Sequence, residues 1–326
     1  MQHEAGRMTT SEVSKEDLKS FLETMWLIRA FEEKAAEIYA RGKINGLLHL
    51  GMGLEGVATG AASAMRQDDY VFGGHRAHAH AIARGADINA LMAELAGRST
   101  GCCKGKGGTM HLSFPEVGFV TATGVVAGNI PLALGAALSC REAGKGQVAA
   151  AVFGDGAGQA GVFHESLNIA SLWRLPMLFI CENNGFAEFT PLSEHTLVER
   201  LSEHAVTYGM PRVTVDGNDV LAVRSAIDEA TQRAAAGGGP SFVECLTHRL
   251  RGHYEGSASE YDRAELDSKD VVRIFEGRLI EAGDISKDVA EQIAITARDR
   301  VAAAADAALD APWPDASDVT SNVLAG

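Results

Sequence analysis

Two short apolar runs flank a helical pattern between residues 148 and 184. Val148–Phe153 contains no polar residue and stops at Gly154-Asp155-Gly156. Val162, Phe163, Leu167, Ile169, Ala170 and Trp173 then recur at helical spacing up to Pro176. Met177–Cys181 is apolar again and ends at Glu182-Asn183-Asn184. Short runs without polar alternation are strands buried on both faces, so the unit reads as the strand–helix–strand of a parallel sheet. Its polar residues lie where strands end, which is where open α/β sheets bind ligands.

The same reading extends along the chain. Ser14 with Asp17 forms a capping box for a helix running to about Arg41, with Leu18, Leu22, Met25, Ile28, Phe31, Ala35 and Ile38 on one stripe. A small-residue helix follows His49, and an Ala/Gly/Leu helix runs from Pro131 to Cys140. Val213–Asp216 predicts a short strand, Asp219–Ala236 a helix, Gly237–Pro240 a turn and Ser241–Leu246 a last strand. Residues 186–190 continue as a loop. The expected fold is α/β: a doubly wound, mostly parallel sheet with helices on both faces and helical extensions at both ends. Residues 1–13 read as a flexible tail, 14–285 as one α/β domain and 286–326 as a helical extension frayed after 310. There are no internal repeats.

Composition narrows the function. The 326 residues carry a net charge of −14 and are 46% hydrophobic, which supplies a core and argues against nucleic acid or anionic membrane as partner. MQHEAGRMTT lacks the apolar stretch of a signal peptide, and no apolar run approaches a bilayer span. The five cysteines form no C-x-x-C and read as reduced thiols, so a cytoplasmic protein is expected. The adjacent Cys102-Cys103 suits neither a zinc pair nor an ordinary disulfide and reads as two small residues in a glycine-rich loop.

Two chemistries compete at the strand ends. Gly156, Gly158 and Gly161 with Glu182 make the G-x-G-x-x-G and acid of a nicotinamide-dinucleotide site. Alternatively, Asp155 and Asn184 face each other across the crevice as oxygen ligands for Mg²⁺, with free N–H groups at the Gly158–Gly161 helix opening favouring an anion. His75, His78 and His80 invite a metal reading, but no cysteine or carboxylate completes a zinc set nearby.

GDG at 154–156 with the paired Asn184 resembles the metal motif of thiamine-diphosphate enzymes. GKGGTMH (105–111) and HRAH (75–78), with HL-x-x-G-x-E from His49 and RGHYEG (251–256), extend the resemblance over about residues 15–285. The family is the alpha subunit of the thiamine-dependent component of 2-oxo-acid and acetoin dehydrogenase complexes. The resemblance implies thiamine diphosphate and Mg²⁺ as cofactors. Asp155, Asn184 and the Phe186 carbonyl would hold the metal, and Gly156 and Ala157 would touch the diphosphate. His75 and Arg76 would bind it too, a guanidinium being the apt donor. Gly124 and Val126 would meet the aminopyrimidine ring. His253 would stand against the diphosphate or the reacting centre, and His49 would face the cofactor. His253, His49 and His78 are the expected proton-handling groups, and His80 is expected to be packing. Gln159-Ala160 departs from the family's Asn-Gln.

GHYEG with ENNGFAE looks more like the acetoin-cleaving branch than the pyruvate branch, and Tyr254 replaces the usual serine, so no regulatory phosphoserine is expected there. The implied reaction is carbon–carbon cleavage of acetoin with transfer of a two-carbon unit to a lipoyl acceptor on a separate acyltransferase core. No glutamate in the chain fits the carboxylate that activates the aminopyrimidine; Glu55 and Glu165 read as packing and capping. The family takes that carboxylate from a beta subunit, which implies an α2β2 heterotetramer. Pyruvate and branched-chain 2-oxo acids are the alternative substrates. A nicotinamide dehydrogenase and a non-catalytic cofactor-binding module are the other classes.

Overall fold

The computed structural model describes residues 13–258, 266 and 268–321. Residues 1–12 of the expected tail, most of 259–267 and residues 322–326 lie outside them. The main sheet has strands β1 (Tyr70–Gly73), β2 (Phe119–Ala122), β3 (Ala149–Gly154) and β4 (Met177–Asn183); a two-residue hairpin, β5 (Phe186–Ala187) with β6 (Thr190–Pro191), follows, then β7 (Arg212–Asp216) and β8 (Ser241–Leu246). The sheet order is β2-β1-β3-β4-β8-β7, and every pair is parallel. β2 is an edge strand that the apolar pattern does not announce, because it has four residues of which only the first and last are buried.

The central strands are apolar throughout because each face has its own core. In β3, Ala150 and Val152 belong to one core and Ala149, Ala151 and Phe153 to the other. In β4, Leu178 and Ile180 point one way and Met177, Phe179 and Cys181 the other. Helices Asn129–Ala143 and Gly161–Leu172 cover the second face with Ile130, Ala133, Phe163 and Leu167. The N-terminal helix Lys15–Ala40, capped by Ser14, lies on the first side with helices Glu55–Ala64, Val220–Ala235 and Lys287–Asp310. The last of these packs along the N-terminal helix. Val13, assigned to a tail from sequence, is buried in that core.

Residues 311–321 are not frayed as expected. Ser99 N–H donates to the Pro312 carbonyl at 3.0 Å, Arg98 stacks on Trp313 at 3.8 Å and Lys106 donates to the Ser321 carbonyl. These partners are remote in sequence, so composition at the chain's end could not reveal them. Among the described residues no helix is long and apolar enough to cross a membrane.

The chain runs from β1 outward to β2 and returns to β3 on the other flank of β1. The carboxyl ends of β1 and β3 therefore border a topological switch point, where neighbouring connections leave in opposite directions and open a crevice. Asn129 stitches the two strands there: its Nδ2 donates to the Phe72 carbonyl at 3.0 Å and the Val152 carbonyl at 2.7 Å.

Candidate active site

A cavity of about 340 Å³ opens at this crevice. Each residue singled out from the sequence as a site residue lines it, His78 excepted. Three strand ends build the floor. β1 runs into His75 and Arg76, β3 into Asp155, Gly156 and Ala157, and β4 into Asn184.

Asp155 is fully buried, and neither of its carboxylate oxygens has a hydrogen-bond partner. The His195 imidazole lies beside it, with Nε2 3.5 Å from one carboxylate oxygen. Burial pushes the Asp155 pKa up, against the opposing pull of nearby backbone N–H groups and His195. A buried carboxylate without full compensation costs several kcal/mol, the cost a bound cation removes. Asn184 Oδ1 accepts from Phe186 N–H at 3.3 Å, turning the chain into β5 beside it. Carboxylate, amide oxygen and main-chain carbonyl form a hard-oxygen set suited to Mg²⁺. The residues present fit that ion.

The dinucleotide alternative does not fit. A 3₁₀ turn, Asp155–Gln159, separates β3 from the helix, which starts only at Gly161. Gly158 and Gly161 are absent from the cavity wall. A side chain on Gly158 would collide with Leu201, at 2.8 Å, so this glycine serves packing. Glu182, the supposed ribose ligand, is committed to His80 at 2.8 Å.

The imidazoles of His49, His75 and His253 and the guanidiniums of Arg76 and Arg249 line the same cavity. His49 and His75 have ring centroids 4.7 Å apart, and His253 lies 5.0 Å from His49. Ligand atoms of the three rings fall within 4.8 Å of one another, a spacing that could hold a metal. The surroundings oppose it. Arg76 Nη2 lies 3.2 Å and Arg249 Nη1 3.0 Å from His253 Nδ1. Guanidinium only donates, so Nδ1 is the acceptor and the His253 proton sits on Nε2. Burial, then the Arg76 and Arg249 charges, bring the His253 pKa down to about 4. Burial, then Arg76, brings His49 down to about 3 and lowers His75 as well. Neutral rings beside two fixed cations recognise an anion, not a second metal.

Sequence reasoning missed Arg249, which is 2% exposed and anchored by the Glu188 carbonyl at 3.0 Å. Its neighbourhood is set by the fold of residues 247–253 over the strand ends, which no local pattern encodes. The sequence also exchanged two histidines. His80 lines the cavity, whereas His78 is fully buried behind it, with Nδ1 3.1 Å from Glu32 and Nε2 2.9 Å from the Thr109 carbonyl. With both nitrogens committed, His78 holds the glycine loop and has no free nitrogen for proton transfer. Gly124 and Val126 reach the cavity from its mouth, where Val126 is 57% exposed.

A family model described as "Dehydrogenase E1 component" matches residues 23–317. The chain belongs to the dehydrogenase E1 component family. Among its relatives, the alpha subunit of acetoin:2,6-dichlorophenolindophenol oxidoreductase from Bacillus subtilis is 40% identical over 91% of this chain and 90% of its own length. The corresponding subunit from Cupriavidus necator is 39% identical over 95% of each. The pyruvate dehydrogenase E1 component subunit alpha of Rhizobium meliloti is 40% identical over 97% of this chain and 92% of its own. As in other α/β proteins, this E1 component keeps its candidate site on the carboxyl edge of the sheet.

Arg249→Gln removes one of two cations facing the candidate diphosphate position. Affinity for thiamine diphosphate is expected to fall about 10- to 100-fold, or about 1.4–2.8 kcal/mol. In the cofactor-free chain the His253 pKa, read from its ring proton by NMR, is expected to rise from about 4 as one of the repelling charges disappears.

Proposed function

We propose that this E1 component is the alpha subunit of an acetoin dehydrogenase that binds thiamine diphosphate through Mg²⁺. The observation carrying this reading is the buried carboxylate of Asp155, without a hydrogen-bond partner, in one cavity with Asn184, Arg76, Arg249 and His253. Asp155, the Asn184 side chain and the Phe186 carbonyl would hold the metal. Arg76, Arg249 and the Nε2–H of His253 would take the diphosphate oxygens. Gly156 and Ala157 would touch the diphosphate at the tip of β3; a Cβ on Gly156 would crowd Ala187, at 3.0 Å. Gly124 and Val126 would receive the aminopyrimidine ring at the mouth.

Thiamine diphosphate, when bound, supplies a nucleophilic carbon that cleaves the bond beside a carbonyl. This chain's residues orient that group and keep their own imidazoles neutral. His253 acts as an N–H donor, because Arg76 and Arg249 occupy its other nitrogen. His49, neutral at ordinary pH with Nδ1 unpartnered, is the group left to exchange a proton with a substrate oxygen. Glu182 is tied to His80, and the activating carboxylate is assigned to a beta subunit, as the family resemblance implies. Exposed apolar residues at the mouth, Val125 at 67%, Val126 at 57% and Phe189 at 48%, support a covering partner. The final acceptor is a lipoyl group on a separate core protein in the cytoplasm.

The test is co-expression with a beta subunit and assay with an artificial electron acceptor. Acetoin is expected to turn over faster than pyruvate, and the chain alone to turn over neither. The Rhizobium relative makes pyruvate the second reading. A strong preference for pyruvate would move the substrate and leave the cofactor assignment standing; full activity without a beta subunit would overturn the half-site.

A further inference from the structure

The glycine-rich loop after helix Ile88–Leu95 carries two thiols that the cofactor site does not use. Its organising group is Glu94, fully buried on that helix. One carboxylate oxygen accepts from Gly107 N–H at 2.7 Å and Gly108 N–H at 3.2 Å. The other accepts from Cys103 N–H at 2.7 Å and Gly105 N–H at 2.9 Å. A carboxylate offers about four lone-pair positions, so Glu94 is saturated and has none for a metal, although it lies within ligand range of both sulfurs.

Cys102 Sγ and Cys103 Sγ are 3.9 Å apart and partly exposed, whereas Cys140, Cys181 and Cys245 are buried. The loop takes this shape with Lys104 at φ 58°, in the left-handed region. An ordinary disulfide does not suit the pair. Adjacent α-carbons stand about 3.8 Å apart, below the usual disulfide range of about 4.4–6.8 Å. Closing the sulfurs to about 2.05 Å would also work against a backbone held by four bonds to Glu94. An atom bonded to both sulfurs bridges a wider gap and leaves the backbone in place.

We propose that Cys102 and Cys103 form a dithiol site for a three-coordinate thiophilic centre, the chemical class of a trivalent organoarsenical. An arylarsonous acid, ArAs(OH)₂, gives up two hydroxyls; two As–S bonds form and two S–H bonds break, and the protons leave in two waters. Arsenic stays trivalent, so no oxidant is required. The same loop runs on to Thr109, which holds His78, and Met110, which lines the cavity.

Phenylarsine oxide is added to the purified, reduced full-length chain, and arsenic is counted by native mass spectrometry. One arsenic per chain is expected, resistant to excess 2-mercaptoethanol and removed by 2,3-dimercaptopropanol. Peptide mapping is expected to show Cys102 and Cys103 protected from iodoacetamide in the treated wild-type chain. Cys102→Ser and Cys103→Ser should each lower affinity more than 100-fold without changing the melting temperature by more than a few degrees. Absence of the adduct, an adduct surviving both substitutions, or alkylation of both thiols in the treated chain would each overturn the proposal. So would a pair already closed as a disulfide after reduction.

Discussion

Asp155→Ala is expected to lower Mg²⁺-dependent thiamine diphosphate affinity by at least about 100-fold, or about 2.8 kcal/mol. Asp155 is the one charged member of the candidate ligand set, the others being an amide oxygen and a main-chain carbonyl. Calorimetric titration of the assembled enzyme at fixed Mg²⁺ measures it, and undiminished affinity would refute the metal assignment. The same substitution has an opposite expected effect on the cofactor-free chain. Both carboxylate oxygens are buried without hydrogen-bond partners, so their removal takes away a desolvation cost that the folded state carries. The melting temperature of Asp155→Ala without cofactor should therefore be equal to or above that of the parent. Affinity lost together with a gain in cofactor-free stability separates a binding residue from a structural one.

Arg29→Met is expected to destabilise the chain by about 3–5 kcal/mol. Arg29 is 4% exposed; its Nε lies 2.7 Å from Glu55 Oε1, and its two terminal nitrogens meet the Asp270 carboxylate at 2.7 and 3.0 Å. Glu55 is fully buried and also accepts from Gly53 N–H at 2.8 Å. Deleting the guanidinium leaves that carboxylate alone in the core, where burial already raises its pKa against the pull of Arg29. Asp270 caps helix Val271–Glu281, so the helix start loosens with it. Burial would raise the Asp270 pKa, but the Arg29 hydrogen bonds and charge outweigh this and hold it below its ordinary value. The stability linked to that depressed pKa is present at neutral pH and lost as pH falls through it. Urea unfolding at pH 7 measures the loss. Glu55→Gln in the same chain should recover part of it, because the stranded charge is then gone.

Legibility followed the range of the interactions. Asp155 and Asn184 could be read because two apolar runs place each residue one step beyond a strand, and parallel pairing of β3 with β4 brings those ends together. Ser14 was read as a cap because its bond to Asp17 N–H spans three residues. His78 and His80 were exchanged for a geometric reason. Both lie on the helix His78–Ala83, and residues two apart on a helix point to nearly opposite sides. Which side meets the cavity depends on how that short helix docks, with Glu32 on one flank and Glu182 on the other.

By itself the sequence determined the parallel α/β architecture, the family resemblance and the oxygen-bearing side chains that stand at the strand tips. Those follow from hydrophobic periodicity and from residues close together in the chain. Only the tertiary structure decided that Arg249 and Arg76 converge on one nitrogen of His253, leaving a neutral ring with its proton on Nε2. It alone seats Trp313 beneath Arg98 and satisfies Glu94 with four N–H groups of one loop. Charge and hydrogen bonding act through space over a few ångströms, and residues far apart along the chain reach that distance only once the sheet and its two helical layers have closed.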